Sequence, residues 1–325
     1  MGYNNHLNPP LLRGDLSEVS HAPVLVEETL SALSCRKDVE ATYLDCTVGM
    51  GGHTEAILKV TDPNVRVIGI DRDRDALSIA KQRLIPFQDR VTLCHGSLKA
   101  LLEIAKGLGL FEVSGILFDL GISSMQLSSA KRGFSFQILG PLDMRMDPSL
   151  PITAATLINT LREKELADMI YQYGEEQRSR KIAAFIVRHR EEKGEITQTT
   201  QLADIICRAV RQKSKWTRTH PATKTFQALR IAVNDELGEL EAGLSHAVSL
   251  LAVGGRLVVI SFHSLEDRPV KNRFRELCHV GAPHAAPSVK KFINLYKKPI
   301  IATREEVAKN LRARSAKLRA LERVA

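Results

Sequence analysis

Cysteine is scarce in this chain and arranged without pattern. The five residues Cys35, Cys46, Cys94, Cys207 and Cys278 form no C-x-x-C pair. Neither a disulfide framework nor a zinc knuckle is expected, so no metal is expected either, and a reducing compartment is implied. No run of about 18 apolar residues occurs, which excludes a membrane-spanning helix. The first twenty residues hold one arginine and two acids and no apolar core, so neither a secretory signal nor a transit peptide is expected and the location is read as cytoplasmic. There is no G-x-x-x-x-G-K-[ST] run, so a P-loop nucleotidase is excluded. Internal repeats and low-complexity tracts are lacking too.

What is present is an ordinary globular composition over 325 residues, 44% hydrophobic and 26% charged, with a formal net charge of +9. The length calls for two domains, or one with a large insertion. The positive balance suggests an acidic partner, most simply nucleic acid. Short apolar runs at Thr42–Cys46, Val65–Ile70, Val91–Cys94 and Val113–Phe118 alternate with segments of helical spacing. That alternation predicts right-handed βαβ crossovers and a parallel, Rossmann-like α/β sheet. The next strong strand, Arg256–Ser261, follows only after a long gap and just past Gly254-Gly255. The gap reads as helical, with amphipathic spacing over Leu157–Tyr173, Glu175–Lys193 and Thr199–Gln212, and one long helix from about Thr225 to Val253. An insertion there falls at the sheet edge where α/β folds bind ligands. We therefore expect a discontinuous sheet domain, 1–126 and 221–325, interrupted by an all-helical domain, 127–220.

The first strand ends in Asp45-Cys46-Thr47-Val48-Gly49-Met50-Gly51-Gly52-His53. Glycines let the backbone approach a ligand, and the following helix offers unpaired N–H groups. The second strand ends in Asp71, an acid placed to bind two ribose hydroxyls. Two cofactor classes fit: a dinucleotide, or S-adenosylmethionine (SAM). Thr54 stands where the dinucleotide pattern wants a small third residue, and Asp45 is positioned to hold a cationic amino group. Both favour SAM over a nicotinamide.

The chain resembles the RsmH/MraW family, bacterial 16S ribosomal RNA cytosine-N4 methyltransferases. The likeness rests on His21-Ala-Pro-Val-Leu, Asp45 through His53, Asp119-Leu-Gly-Ile-Ser-Ser, Arg132-Gly-Phe-Ser-Phe, Gly140-Pro-Leu-Asp-Met-Arg-Met-Asp and Tyr173-Gly-Glu-Glu. It continues through the His220–Arg230 run, Ile260-Ser-Phe-His-Ser-Leu-Glu-Asp-Arg and Asn310-Leu-Arg-Ala-Arg-Ser-Ala-Lys-Leu-Arg. The resemblance implies a class I SAM-dependent methyltransferase sheet with a helical insertion. It also implies a substrate in the decoding (P-site) region of the small ribosomal subunit, and SAM contacts at Gly51, Gly52, His53, Asp71, Leu98, Asp119 and Gln126. Gly49 and Asp45 join them from the loop itself. Leu98 stands where the family usually has Phe, Met125 where Pro is usual, and Ser128 where Asp is common. An aliphatic wall at Leu98 forgoes about 0.5–1.5 kcal/mol of ring stacking.

For the chemistry, the expected catalytic group is Asp119, with Ser123 and Ser124 beside it; for the two serines, local turn hydrogen bonding is an equal alternative. His21 and His263 are further candidates to line the pocket. A stacking partner for an extruded cytosine is expected at Phe134, Phe136 or Phe262. RNA contacts are expected along Cys207–Arg230, where seven basic residues, Arg208, Arg211, Lys213, Lys215, Arg218, Lys224 and Arg230, surround the only tryptophan, Trp216, with no acid. The C-terminal segment from Arg268 carries fifteen Lys and Arg against four acids. Its Arg312, Arg314, Lys317 and Arg319 are expected to form a second RNA surface, one that truncation at Asn310 should remove. Oligomeric state is left open between monomer and homodimer.

Overall fold

In a computed structural model of the chain, residues 23–35, 40–210, 220–278 and 292–325 are described. The elements run α1 (Val26–Leu33), β1 (Thr42–Asp45), α2 (Gly52–Val60), β2 (Arg66–Asp71), α3 (Arg74–Arg83), β3 (Val91–His95), α4 (Leu101–Gly107) and β4 (Val113–Asp119). Helices α5 (Ser124–Ser128), α6 (Ala154–Thr160), α7 (Glu163–Gly174), α8 (Ser179–Lys193), α9 (Thr199–Val210), α10 (Thr223–Asn234) and α11 (Glu236–Leu250) follow. The chain closes with β5 (Leu251–Ser261), α12 (Ser264–Cys278), β6 (Phe292–Asn294), β7 (Ile300–Ile301), α13 (Arg304–Lys309) and β8 (Lys317–Arg323).

The sheet order is β3-β2-β1-β4-β5-β8-β6, with β7 also on β8. The first five strands are parallel and β8 is antiparallel to β5. This is the expected Rossmann-like sheet, doubly wound, and its order reverses between β1 and β4, the point where such sheets bind ligands. Near-continuous apolar strands reflect burial on both faces. One face packs Ile68, Ile116, Phe118 and Val259 under α4, α11 and α12. The other packs Tyr43, Val67, Leu117 and Val258 under α1, α2 and α3.

The gap between β4 and β5 is helical, as expected, and has a core of its own built on Ile158, Leu166, Ile170, Ile186, Ile206 and Leu229. Three readings change. The stretch Leu157–Tyr173 is two helices, because Leu161 is extended (ψ 141). The long helix from Thr225 breaks at Asp235, whose left-handed backbone (φ 46, ψ 42) ends α10 and starts α11. A single residue in that conformation leaves the apolar periodicity intact, so the pattern runs straight through the break. Helix α10 also adds Phe226, Leu229 and Val233 to the helical core, so the helical body continues past residue 220.

Strand β5 begins at Leu251, ahead of the glycine pair. Its register with β4 jumps from Val113↔Leu251 to Gly115↔Arg256, and Gly254 takes up the bulge at φ +80. The largest change is at the C-terminus. Residues 317–323, read as a basic surface tail, form β8, an interior strand between β5 and β6 with Leu318 and Leu321 fully buried. Alternating apolar residues within the basic run carry that strand.

Candidate active site at the strand C-termini

An open cleft of about 1210 Å³, counting solvent at its mouth, lies over the C-terminal ends of β1, β2, β3 and β4. Its floor is the glycine loop. Gly49 (φ +51) and Gly51 (φ +83) turn the chain sharply into α2. Asp71 stitches this loop to the next turn, accepting from Gly49 N at 2.7 Å and Asp73 N at 2.8 Å. Its pKa is raised, because burial outweighs those two backbone bonds. Gly49, Gly52, His53, Asp71, Leu98, Asp119, Ser123, Ser124 and Gln126 all line the cleft.

Two expected cofactor contacts lie behind it. A side chain at Gly51 would meet Leu84 at 3.2 Å and Ala80 at 3.4 Å, so this glycine serves the packing of α2 on α3. Asp45 is 1% exposed and accepts a 2.7 Å bond from Thr54 Oγ1. Burial pushes its pKa up to about 6, against the pull of His53 and of the bonds from Thr54 and Thr47. Thr54, read as a departure from the dinucleotide pattern, is thus the fixed donor for Asp45.

Asp119 ends β4. Its backbone N donates to Thr47 Oγ1 at 2.6 Å, and its Oδ2 lies 3.4 Å from His53 Nε2. Among the described residues, neither His53 Nε2 nor Asp119 Oδ1, both buried, has a partner that meets hydrogen-bond geometry. Burial draws the His53 pKa down, but Asp119 and Asp45 together carry it above its ordinary value.

The loop after β4 explains the serines. Ser123 caps α5, accepting from Gln126 N at 3.1 Å, while Gln126 Oε1 accepts from Ser123 N at 2.9 Å. This reciprocal capping box makes the turn a local structure. Gln126 Nε2 donates to fully buried Asp73 at 2.7 Å, which also takes Arg132 at 2.7 Å. The Gln126 amide therefore ties three loops together. Ser124 Oγ and the Ile122 carbonyl both accept from Arg312, which reaches back from the turn after α13 to line the cleft. Burial lowers the Arg312 pKa.

The aromatic expectations are corrected. Phe134 is 6% exposed within the helical core. Phe136 is already stacked on His220, centroids 4.5 Å apart at 15°. Phe262 alone stays near the cleft, 3.5 Å from where a Gly121 side chain would begin.

Of the basic residues, Arg208, Lys224, Arg312 and Arg314 are exposed, although Lys224 Nζ donates to the Glu175 carbonyl at 2.9 Å and the Arg312 guanidinium is the one held by Ser124 and Ile122. Arg319 is not a free contact: it holds Asp267 through two bonds, at 2.7 and 3.1 Å, and Lys317 lies 3.6 Å from the same carboxylate. Arg230 is committed to Glu236 at 2.7 Å. His21, Arg211, Lys213, Lys215, Trp216 and Arg218 lie outside the described residues.

Missed by the reading of the sequence were Glu236, Glu239 and Glu266, which wall the cleft from α11 and α12. Glu236, Glu266 and His263 converge closely enough to hold a cation. Arg230 supplies one, with Nη2 at 2.7 Å from Glu236, 3.2 Å from His263 and 3.7 Å from Glu266.

Comparison with known proteins matches residues 18–324 to the sequence profile of the MraW methylase family. The chain belongs to the MraW methylase family. Among curated relatives of this methylase, the ribosomal RNA small subunit methyltransferase H of Carboxydothermus hydrogenoformans is 48% identical over 94% of this chain and 99% of that protein. The proteins of the same name from Geobacter sulfurreducens and Symbiobacterium thermophilum are 49% and 46% identical, covering 94% and 93% of this chain and 99% and 96% of their own.

Proposed function

We propose that this methylase transfers a methyl group from SAM to the N4 amine of a cytidine in the decoding (P-site) region of 16S rRNA in the small ribosomal subunit. The observation that carries the reading is Asp119. It stands at the C-terminal end of β4, lines the cleft, and keeps one buried carboxylate oxygen without a partner.

The residues suit SAM. Asp71 presents a carboxylate for a ribose diol, and Leu98 adds an apolar wall for the adenine. Of the cleft's acids, Glu236 and Glu266 are paired with Arg230 and Glu239 with Arg72, which leaves Asp71 and Asp119 as the carboxylates that favour a ligand bearing sulfonium and ammonium charges. When bound, SAM supplies an electrophilic methyl for in-line displacement.

The protein's own work is alignment and proton handling. Cytosine N4 is a poor nucleophile, because its lone pair is delocalised into the ring. An acceptor on one N–H helps localise that pair and takes the proton that must leave. Asp119 Oδ1 is the acceptor, and the β4 loop locked by Ser123 and Gln126 fixes its position, which supplies the orientation such a transfer needs. Arg314, exposed in the turn after α13, offers a guanidinium group to phosphates, with Arg208 and Lys224 on the helical body. The same named relatives act, by their names, on small-subunit ribosomal RNA, which supports this choice of substrate.

The test incubates the protein with labelled SAM and unmethylated small subunits, then identifies the modified nucleoside. N4-methylcytidine is expected, and its absence refutes the reading.

A further inference from the structure

Among the described residues, His53 is one of two cleft-lining groups with a buried polar atom left unpartnered; the other is Asp119 itself. They come from different elements, the first turn of α2 and the end of β4, and meet at 3.4 Å. His53 is 6% exposed. Against burial, Asp119 from β4, Asp45 from β1 and Glu306 from α13 all raise its pKa. Arg312, from the turn after α13, lines the same cleft as Asp119.

We propose that His53 is a positioning residue for methyl transfer, its Nε2 holding Asp119 through Oδ2 and leaving Oδ1 turned to receive the proton of the acceptor amine. The inference rests on the function proposed above. In the step, the N4–CH₃ bond forms as the S–CH₃ bond breaks, with its electron pair going to sulfur. The N4–H proton passes to Asp119 Oδ1 and is released to solvent afterwards. His53 keeps its own proton throughout. Against the effect of burial, the neighbouring carboxylates raise the pKa of His53 above its ordinary value.

The experiment follows the pH dependence of single-turnover methylation of unmethylated small subunits by the wild-type protein and by His53→Gln, with SAM affinity measured by calorimetry at each pH. The hold of His53 on Asp119 is strongest while the ring is protonated, so the wild-type rate should fall as pH rises through the His53 titration. His53→Gln should be slower and lack that alkaline limb while SAM affinity is retained. A profile parallel to wild type and lowered equally at every pH overturns the proposal. So does a loss of rate matched by a loss of SAM affinity, which makes His53 a cofactor contact alone.

A second measurement does not depend on that variant folding. With ¹⁵N-labelled histidine, the His53 ring of the wild-type protein should titrate above its ordinary 6.5 and drop in Asp119→Asn. A ring that is neutral across the range, or one that ignores Asp119→Asn, overturns the proposal. If wild type itself forms no N4-methylcytidine, the proposed function fails and this inference falls with it. The other negative outcomes leave the proposed function standing.

Discussion

Consider a chain that stops at Lys309. On charge alone this deletion should trim a basic tail and weaken the salt dependence of RNA binding. The fold makes it the removal of a structural strand. Leu318 and Leu321 are both 0% exposed, and Ala313, Ala316 and Ala320 are buried beside them. β8 pairs six residues with β5 and supports β6 and β7 on its other side. Each fully buried leucine contributes about 1.5–3 kcal/mol, so the two leucines alone account for about 3–6 kcal/mol. A whole domain is stable by about 5–15 kcal/mol. The deletion also strips Asp267 of Arg319 and Lys317 and opens the β5 edge to other chains. The truncated protein should be unfolded or aggregated, without a cooperative melt by circular dichroism. As a milder version, Leu321→Ala should lower stability by about 2–5 kcal/mol in urea titration. A truncated protein melting cooperatively within about 4 °C of full length would refute the reasoning, since about 1 kcal/mol already moves a domain of 150–250 residues by 2–4 °C.

Other consequences follow from the site. Burial raises Asp45 from its usual 3.8 to about 6, so the folded state binds a proton that the unfolded state has lost. This group's contribution is full below about 3.8 and disappears as pH rises through about 6. Asp45→Asn should therefore flatten the fall in stability between pH 4 and pH 6, read as urea midpoints; an unchanged slope would count against it. Gly243→Ala would normally strengthen a helix by about 1 kcal/mol, but its Cβ would sit 2.8 Å from Leu98 Cβ. It should displace Leu98 and weaken SAM binding in calorimetry; unaltered affinity would show that Leu98 does not wall the cofactor. Arg314 is exposed, and Arg314→Ala should reduce the slope of log affinity for small subunits against log salt by about 1. An unchanged slope would remove Arg314 from the RNA surface.

Much of the fold is legible from local pattern. β1 to β4 are short apolar runs, the glycine loop sits at a strand end, and Asp71 and Asp119 follow their strands directly. Each of these features needs only a residue and its immediate neighbours. The site residues that reading failed to place are those whose partners are far along the chain. Glu236, Glu239 and Glu266 belong to the cleft only because α11 and α12 pack over the β4 end of the sheet. Phe134 and Phe136 look like base-stacking residues until the helical body claims one for its core and His220 covers the other.

Charge divides the two kinds of knowledge most clearly. The sequence by itself determined the sheet class, the ligand edge and the net positive balance, because composition and apolar spacing depend on no folding partner. Which charges are free was decided only by the tertiary structure. Arg319 meets Asp267, Arg230 meets Glu236, Arg312 returns to the loop after β4, and His53 meets Asp119. A guanidinium or imidazole is spent or available according to what the fold sets within a few ångströms of it, and three of these four pairs join residues on elements far apart in the chain.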